Sequence, residues 1–347
     1  MNKSALLALV VLASAGASPL RAETAPLEVL ATTTDLRELA KEIGGDDVAV
    51  ACLMKGPEDP HFLEARPSFV RAAARADVLL LNGLDLEVGY EPLLVGDSRN
   101  AKIQRGAPGH VDCSAGIAVL EVPAGPVDRS QGDVHPSGNP HYLLDPVRAK
   151  QAAATIAEAL KRAAPDRAAK FDERLAAFRR RVDVEMFGEV LLAAQPADRL
   201  ERRLQDGTLA KFLKDRGLDG KLGGLAAKMA PHAGARVVSY HSTFRYLLDR
   251  FHVAEAEKLE PKPGVPPSPR HLADVVKRMR EGGIRVVLSA SHQPERTAAS
   301  VAEQVGGRSL RLAHQPDSLP GTSGYLATVR HNVEALASAL VAVESAK

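Results

Sequence analysis

Apolar residues recur along this chain in short runs that alternate with stretches of helical period. In the first half, aliphatic and β-branched runs predict strands at 28–32, 48–54 and 78–81. Helical patterns fall between and after them, as at 35–43 and 67–75. The second half repeats the style, with strands at 236–240, 285–289 and 309–312. Its helices are expected at 242–250, 269–281, 294–305 and 325–343. Strands that alternate with helices predict parallel sheets covered by helices on both faces. The expected fold class is α/β, with two lobes, each a mostly parallel sheet flanked by helices.

The middle of the chain has a different pattern, rich in Ala, Arg and Glu. Residues 146–163 read as one helix, and Pro165 both ends it and suits the first position of the next. Residues 168–184 then run without Gly or Pro. Such a helix is a long rigid connector between lobes, unlike a Gly/Ser hinge; a surface helix of one lobe is the alternative. Loops are expected at 123–140 and 313–324, and at 260–269, which carries five prolines. Residues 188–230 carry no strand signal. The expected division is a signal segment at 1–22, a first lobe at 23–164, a connecting helix at 165–187 and a second lobe at 188–347.

Composition sharpens this picture in a few places. The chain has 347 residues, a length that favours two domains, and a formal charge of only +2 with no long basic run. Nothing in it points to nucleic acid or to an acidic membrane surface. At the N-terminus Lys3 precedes an apolar run at 5–13, then small residues to Ala17, with Ala22 before the first acid, Glu23. That is the pattern of a secretory signal, cleaved after Ala22 or Ala17, and is too short for a membrane span. Neither cysteine, Cys52 or Cys113, ends the signal, so a free periplasmic protein is expected and not a lipoprotein. An oxidising compartment permits a disulfide between them or two free thiols. There is no C-x-x-C, and no H-E-x-x-H, G-x-S-x-G or phosphate-loop motif. Tryptophan is absent and aromatics make up 4%, which disfavours sugar-stacking sites.

Three of the eleven histidines stand out by position. His61 follows the strand ending at Met54, within Asp59-Pro60-His61. His141 follows Asn139-Pro140, and His241 directly follows the strand at 236–240. Ligands of open α/β sheets lie at the carboxyl ends of strands, which places His61 and His241 at a site, one from each lobe. Two of the three follow a proline, which stiffens the backbone that presents the ring. Neutral imidazoles suit Zn²⁺, and three with one further donor make a tetrahedral set. His135, His292 and His314 lie in loops nearby and are candidate secondary ligands. A lone loop histidine is ordinarily a solvated surface residue, so the grouping carries the inference and no single ring does.

Four motifs in order resemble the zinc/manganese substrate-binding proteins of ABC importers. They are Asp59-Pro60-His61 with Asn82-Gly83-Leu84-Asp85-Leu86-Glu87; Asn139-Pro140-His141-Tyr142-Leu143-Leu144-Asp145-Pro146; Tyr240-His241-Ser242-Thr243-Phe244; and Asp317-Ser318-Leu319 with Gly324-Tyr325 and Arg330-His331-Asn332. The resemblance implies metal ligands at His61, His141, His241 and Asp317. It implies zinc as the transported ion, since manganese-selective relatives usually carry Glu where His241 stands; Mn²⁺ and Fe²⁺ are the alternatives. It also implies a non-enzymatic, monomeric extracytoplasmic subunit that meets the membrane only through an ABC permease with its ATPase. Three departures stand out: Ala290 replaces a frequent Glu, only Asp133-Val134-His135 stands in for a His-rich loop, and 188–222 has the look of an insertion. With Ala290 in place, His292, His314 or a water are the alternatives to Asp317 as fourth ligand. The rival readings are a secreted zinc-dependent hydrolase and a periplasmic metallochaperone without a permease.

Overall fold

Two four-stranded sheets, all of whose neighbouring strands run parallel, frame the protein. The computed structural model describes residues 25–125, 127 and 134–345. The expected signal at 1–22 lies outside them. In chain order the first half comprises β1 (Leu27–Ala31), α1 (Thr34–Gly44), β2 (Val48–Cys52), α2 (Pro67–Ala73), β3 (Val78–Leu81), α3 (Glu91–Ser98) and β4 (His110–Asp112). Helices α4 (Pro146–Ala163) and α5 (Ala168–Phe187) follow, then short helices α6 (Glu189–Leu192), α7 (Ala197–Gln205), α8 (Leu209–Lys214) and α9 (Gly224–Met229). The second half holds β5 (Arg236–Ser239), α10 (Arg245–Arg250), β6 (Ala254–Lys258), α11 (Pro269–Gly282), β7 (Val286–Ala290), α12 (Glu295–Gln304), β8 (Arg308–Leu312) and α13 (Tyr325–Glu344).

The sheets share one topology, β2-β1-β3-β4 and β6-β5-β7-β8. In each, the second strand goes to one side of the first and the third to the other, which opens a crevice at their carboxyl ends. Burial on both faces explains the apolar runs: all four residues of β3 and all five of β7 are buried. Helix α1 buries Leu36, Leu39, Ala40 and Ile43, a stripe of helical period, and Thr33 caps its first turn. One continuous core runs from Val29 and Leu80 through Ile156 of α4 and Phe178 of α5 to Val237, Leu288 and Leu336. Helix α5 lies between α1 and α4 on one side and α9 and α13 on the other.

Two strands and several helices escape the sequence pattern. Strand β4 has only three residues. Strand β6 reads Ala-Glu-Ala-Glu-Lys, an edge strand whose charges mask it, and its register with β5 shifts at Val237/Val238. The stretch after α5 is helical (α6 to α9), and the helix expected at 242–250 starts as a 3-10 turn at Ser242–Phe244. The cysteines lie on β2 and just after β4, opposite edges of one sheet. Three strand spacings put them about 14 Å apart, too far for a disulfide.

Polar contacts join the halves. The buried carboxylate of Asp145 caps α4 and accepts from Arg148 at 2.6 Å and from Arg250 of α10 at 2.9 and 2.7 Å. Arg37 of α1 pairs with Asp317. Gln315 Nε2 donates to the Gly56 carbonyl at 2.8 Å, and Tyr325 donates to the Leu143 carbonyl at 2.7 Å. Gly56 is required there, since a Cβ would lie 2.3 Å from the backbone of Asp317. Breaking a buried ion pair leaves an uncompensated charge, at a cost of about 3–5 kcal/mol. Arg250→Met is expected to destabilise the fold by about 3 kcal/mol in denaturant titration, because Arg148 still compensates part of the Asp145 charge.

Asp35, in the first turn of α1, is also buried. Burial raises its carboxyl from an ordinary 3.8 to about 8, against the pull of Arg37. The folded chain therefore holds a proton that the unfolded chain releases between those values, and stability falls as pH rises from about 4 to about 8. Asp35→Asn is expected to raise the melting temperature at pH 8, with a gain that fades toward pH 4. An equal gain at both ends would show that Asp35 is not the group responsible.

Candidate metal centre

His61, His141 and His241 converge where the two crevices face each other. Each ring offers a nitrogen, and the three nitrogens lie within 4.8 Å of one another. His61 sits on the 3-10 turn Pro60–Phe62, which Pro60 starts and Asp59 caps. His141 precedes the 3-10 turn Tyr142–Leu144 that leads into α4. His241 follows β5 in extended conformation and leads into the turn Ser242–Phe244. Ring centroids are 5.2 Å apart for His61–His141 and 5.7 Å for the other two pairs.

Two carboxylates stand behind the rings. Asp59 Oδ1 lies 2.8 Å from His61 Nδ1, and Glu260 Oε2 lies 2.9 Å from His241 Nδ1. A hydrogen bond there fixes the tautomer with its proton on Nδ1, leaving the Nε2 lone pair to face the site. The Nε2 atoms of His61 and His141 are buried without a hydrogen-bond partner. Buried polar atoms are rarely left unsatisfied, so these two are poised for a ligand. Burial, with the nearby His61 and His241 rings, pushes the His141 pKa well below its ordinary value, so this ring is neutral at pH 7. Burial opposes ionisation of Asp59, yet the His61 hydrogen bond and the neighbouring imidazoles hold its carboxyl well below the usual range.

The loops that carry the histidines are tied to one another. Glu87 accepts from Thr32 Oγ1 and the Asn82 amide, both at 2.6 Å, and from the Gly83 amide at 3.1 Å. Asn82 Nδ2 donates to the Pro140 carbonyl at 2.9 Å, which holds the His141 turn to the first sheet. Asn139 Oδ1 accepts from the His141 amide while Asn139 Nδ2 donates to the Ser242 carbonyl, both at 2.9 Å, linking the His141 and His241 turns. Two surface clefts of about 290 and 210 Å3 both reach His241, the first also lined by His135 and the second by His61 and His292.

The other candidates fall in distinct places. Asp317 is not among the converging groups. Its half-exposed carboxylate pairs with Arg37, and its backbone takes a left-handed φ of 62° against Gly56. The resemblance-implied ligand Asp317 thus stands apart from the three rings in this structure, in an ion pair that joins the halves. His314 is occupied at both nitrogens, by Ser291 Oγ at 2.6 Å and the Glu58 carbonyl at 3.0 Å. His292 packs on His314 with centroids 4.4 Å apart, its Nε2 3.5 Å from Asp59 Oδ2. His135 stands beside His61 at 5.3 Å between centroids, with a buried Nε2 lacking a partner. Burial and the His61 and His241 rings lower its pKa to about 4. The two supporting carboxylates, Asp59 and Glu260, were not picked out from sequence; for Asp59 the signal was its place two residues before His61.

Comparison with known proteins agrees with the fold. The family model described as "ZnuA: Zinc-uptake complex component A periplasmic" matches residues 29–184 and 217–339. The chain therefore belongs to this family of metal-binding, extracytoplasmic substrate-binding proteins of ABC transporters, whose members bind solutes and are not enzymes. The hydrolase reading falls with that. The iron-binding protein YfeA of Yersinia pestis is 23% identical over 97% of this chain and 96% of its own length. The metal ABC transporter substrate-binding lipoprotein SsaB of Streptococcus sanguinis is 26% identical over 45% of this chain. That match spans 48% of SsaB, about half its length. Among solved structures, a crystal structure of ZnuA superposes with a TM-score of 0.67 at 19% identity, over 90% of this chain and 99% of that one. The protein FpvC of Pseudomonas aeruginosa, in complex with Mn²⁺, gives 0.67 at 20% identity, over 92% and 99%. These two likenesses concern the fold.

The carboxylates behind the rings set the expected sensitivity of the site. Removing such a partner typically lowers metal affinity about 10–100-fold. Asp59→Asn and Glu260→Gln are each expected to weaken zinc binding by about that factor in calorimetric titration, with the fold unchanged by circular dichroism. Full retention of affinity in both variants would mean that the carboxylates do not orient the rings.

Proposed function

We propose that this chain captures zinc between its two lobes through His61, His141 and His241 and delivers it to the permease of an ABC importer. The observation that carries the reading is the meeting of three imidazoles from separate turns, two with buried, unpartnered Nε2 atoms. Tetrahedral zinc with Zn–N bonds of about 2.0–2.1 Å needs donors about 3.3 Å apart. Small ring rotations bring atoms within 4.8 Å to that spacing. The fourth donor is Asp317, His135, whose buried Nε2 lacks a partner beside His61, or a water. Three imidazoles favour zinc over manganese, which prefers oxygen donors. The family contains relatives named for manganese and for iron, so the ion is decided by competition. In this reading residues 23–164 and 188–347 form the lobes, helix 165–187 joins them, and the mature chain is a free periplasmic monomer without a lipid anchor. Neighbouring permease and ATPase genes would distinguish it from a metallochaperone.

The test combines metal analysis of protein purified without added metal with competition among Zn²⁺, Mn²⁺ and Fe²⁺. Zinc is expected to be retained and to displace the others. His61→Ala and His241→Ala are expected to weaken zinc binding by orders of magnitude, and His135→Ala by a smaller factor. Unchanged affinity in the first two would overturn the site, while preferential retention of manganese would overturn the choice of ion.

A further inference from the structure

Residues 185–216 lie between the two stretches that match the family. They hold helices α6, α7 and α8, and α7 is firmly seated. Its Leu200 is fully buried, Glu201 pairs with Lys150 of α4, and Gln205 donates to Asp249 of α10 at 3.2 Å. The Leu204 carbonyl lies 2.5 Å from His252 Nε2. The opposite face of α7 presents Arg199, Arg202 and Arg203, all exposed, and exposed Arg216 returns to them after α8. These four arginines, with Asp206 and Phe212, line a surface cleft of about 470 Å3.

The cleft concentrates positive charge on a built platform. The guanidinium carbons of Arg203 and Arg216 lie 5.4 and 4.8 Å from the centroid of the Phe212 ring, which is itself buried. Both guanidinium groups are thus held beside one ring, and the like charges gathered on this patch attract an anion. Arg202 pairs with the exposed Asp198 at 2.9 Å. Among the described residues, Arg199, Arg203 and Arg216 have no carboxylate within ion-pairing distance. Arginine forks take carboxylates two bonds at a time, and ring stacking holds the fork in place.

We propose that this cleft is a docking site for an acidic segment of a partner protein, whose Asp and Glu carboxylates are gripped by Arg199, Arg203 and Arg216. A membrane fits the surface less well. Among the described residues, none from Ala197 to Arg216 is an exposed large apolar side chain that would enter the acyl boundary, and the surface is concave. The cleft shares no lining residue with the two clefts at the histidines, so a partner and a metal can be held together. The segment carrying it falls outside the family match, so this contact distinguishes the chain from relatives that lack the segment.

The experiment uses the full mature chain and a fluorescein-labelled Glu/Ser peptide, read by anisotropy, with a Gln/Ser peptide as control. Binding of the acidic peptide alone is expected, weakening steeply with salt. The double substitution Arg203→Glu with Arg216→Glu is expected to lower affinity at least about 10-fold, and Lys at both positions to give an intermediate loss because lysine lacks the fork. Zinc binding and melting temperature stay unchanged in both variants, which separates this site from the metal centre. Equal binding of the wild type and the Glu variant overturns the proposal, as does equal binding of both peptides or failure of the acidic peptide to bind. Arginine-dependent capture of phosphatidylglycerol vesicles without peptide binding likewise overturns it, in favour of a lipid surface.

Discussion

The carboxylate of Asp145 is fully buried where the lobes meet and holds three groups at once. It caps α4 through the Val147 amide, takes Arg148 from the same helix and takes a two-bonded Arg250 from α10. A buried charge is tolerated only when its lone pairs are filled with good geometry, and here they are. Because α4 follows the His141 turn and α10 follows the His241 turn, the same contact sets the distance between two of the three rings. The relative position of the lobes thus rests on a polar hub surrounded by the continuous core that α4, α5 and α13 share.

Around this hub the candidate metal centre is built from turns, not from the faces of helices or strands. The turns do not rely on their own stiffness alone. Glu87 and Asn82 brace the Pro140–His141 peptide from the first sheet, and Asn139 reaches across to Ser242. Gln315 and His314 hold the carbonyls of Gly56 and Glu58, steadying the loop that leads to His61. Loops from one lobe therefore support candidate ligands of the other. The interior is set for cation binding by low-pKa imidazoles at His141 and His135 and by ionised Asp59 behind His61. Positive charge arriving as a metal replaces protons that burial already disfavours.

The inserted helices extend this frame in another direction. Their anchoring residues, Leu200, Glu201, Leu204 and Gln205, read as an inner face tied to α4 and α10. The charged residues between them alternate with that face at helical spacing. The family match covers the candidate metal centre and leaves this segment to chemistry of its own.

Much of the frame was legible in the chain. Leu36, Leu39, Ala40 and Ile43 announce α1, continuous apolar runs announce β3 and β7, and Pro165 marks the break between α4 and α5. The prolines before His61 and His141 and the strand before His241 marked the three rings. Local pattern failed where burial is partial or elements are short: β6 hides behind Glu and Lys, β4 has three residues, and α6 to α9 lack a long period. Nor does it show the setting of Asp317, whose side-chain direction depends on a left-handed backbone pressed against Gly56 and on Arg37 from the other half. Residue types and stiff turns are local properties, so the sequence by itself settled which histidines were candidates and which elements carry them. Which nitrogens meet, and which carboxylates stand behind them, depends on contacts between residues far apart in the chain. Those contacts exist only once the two lobes have packed.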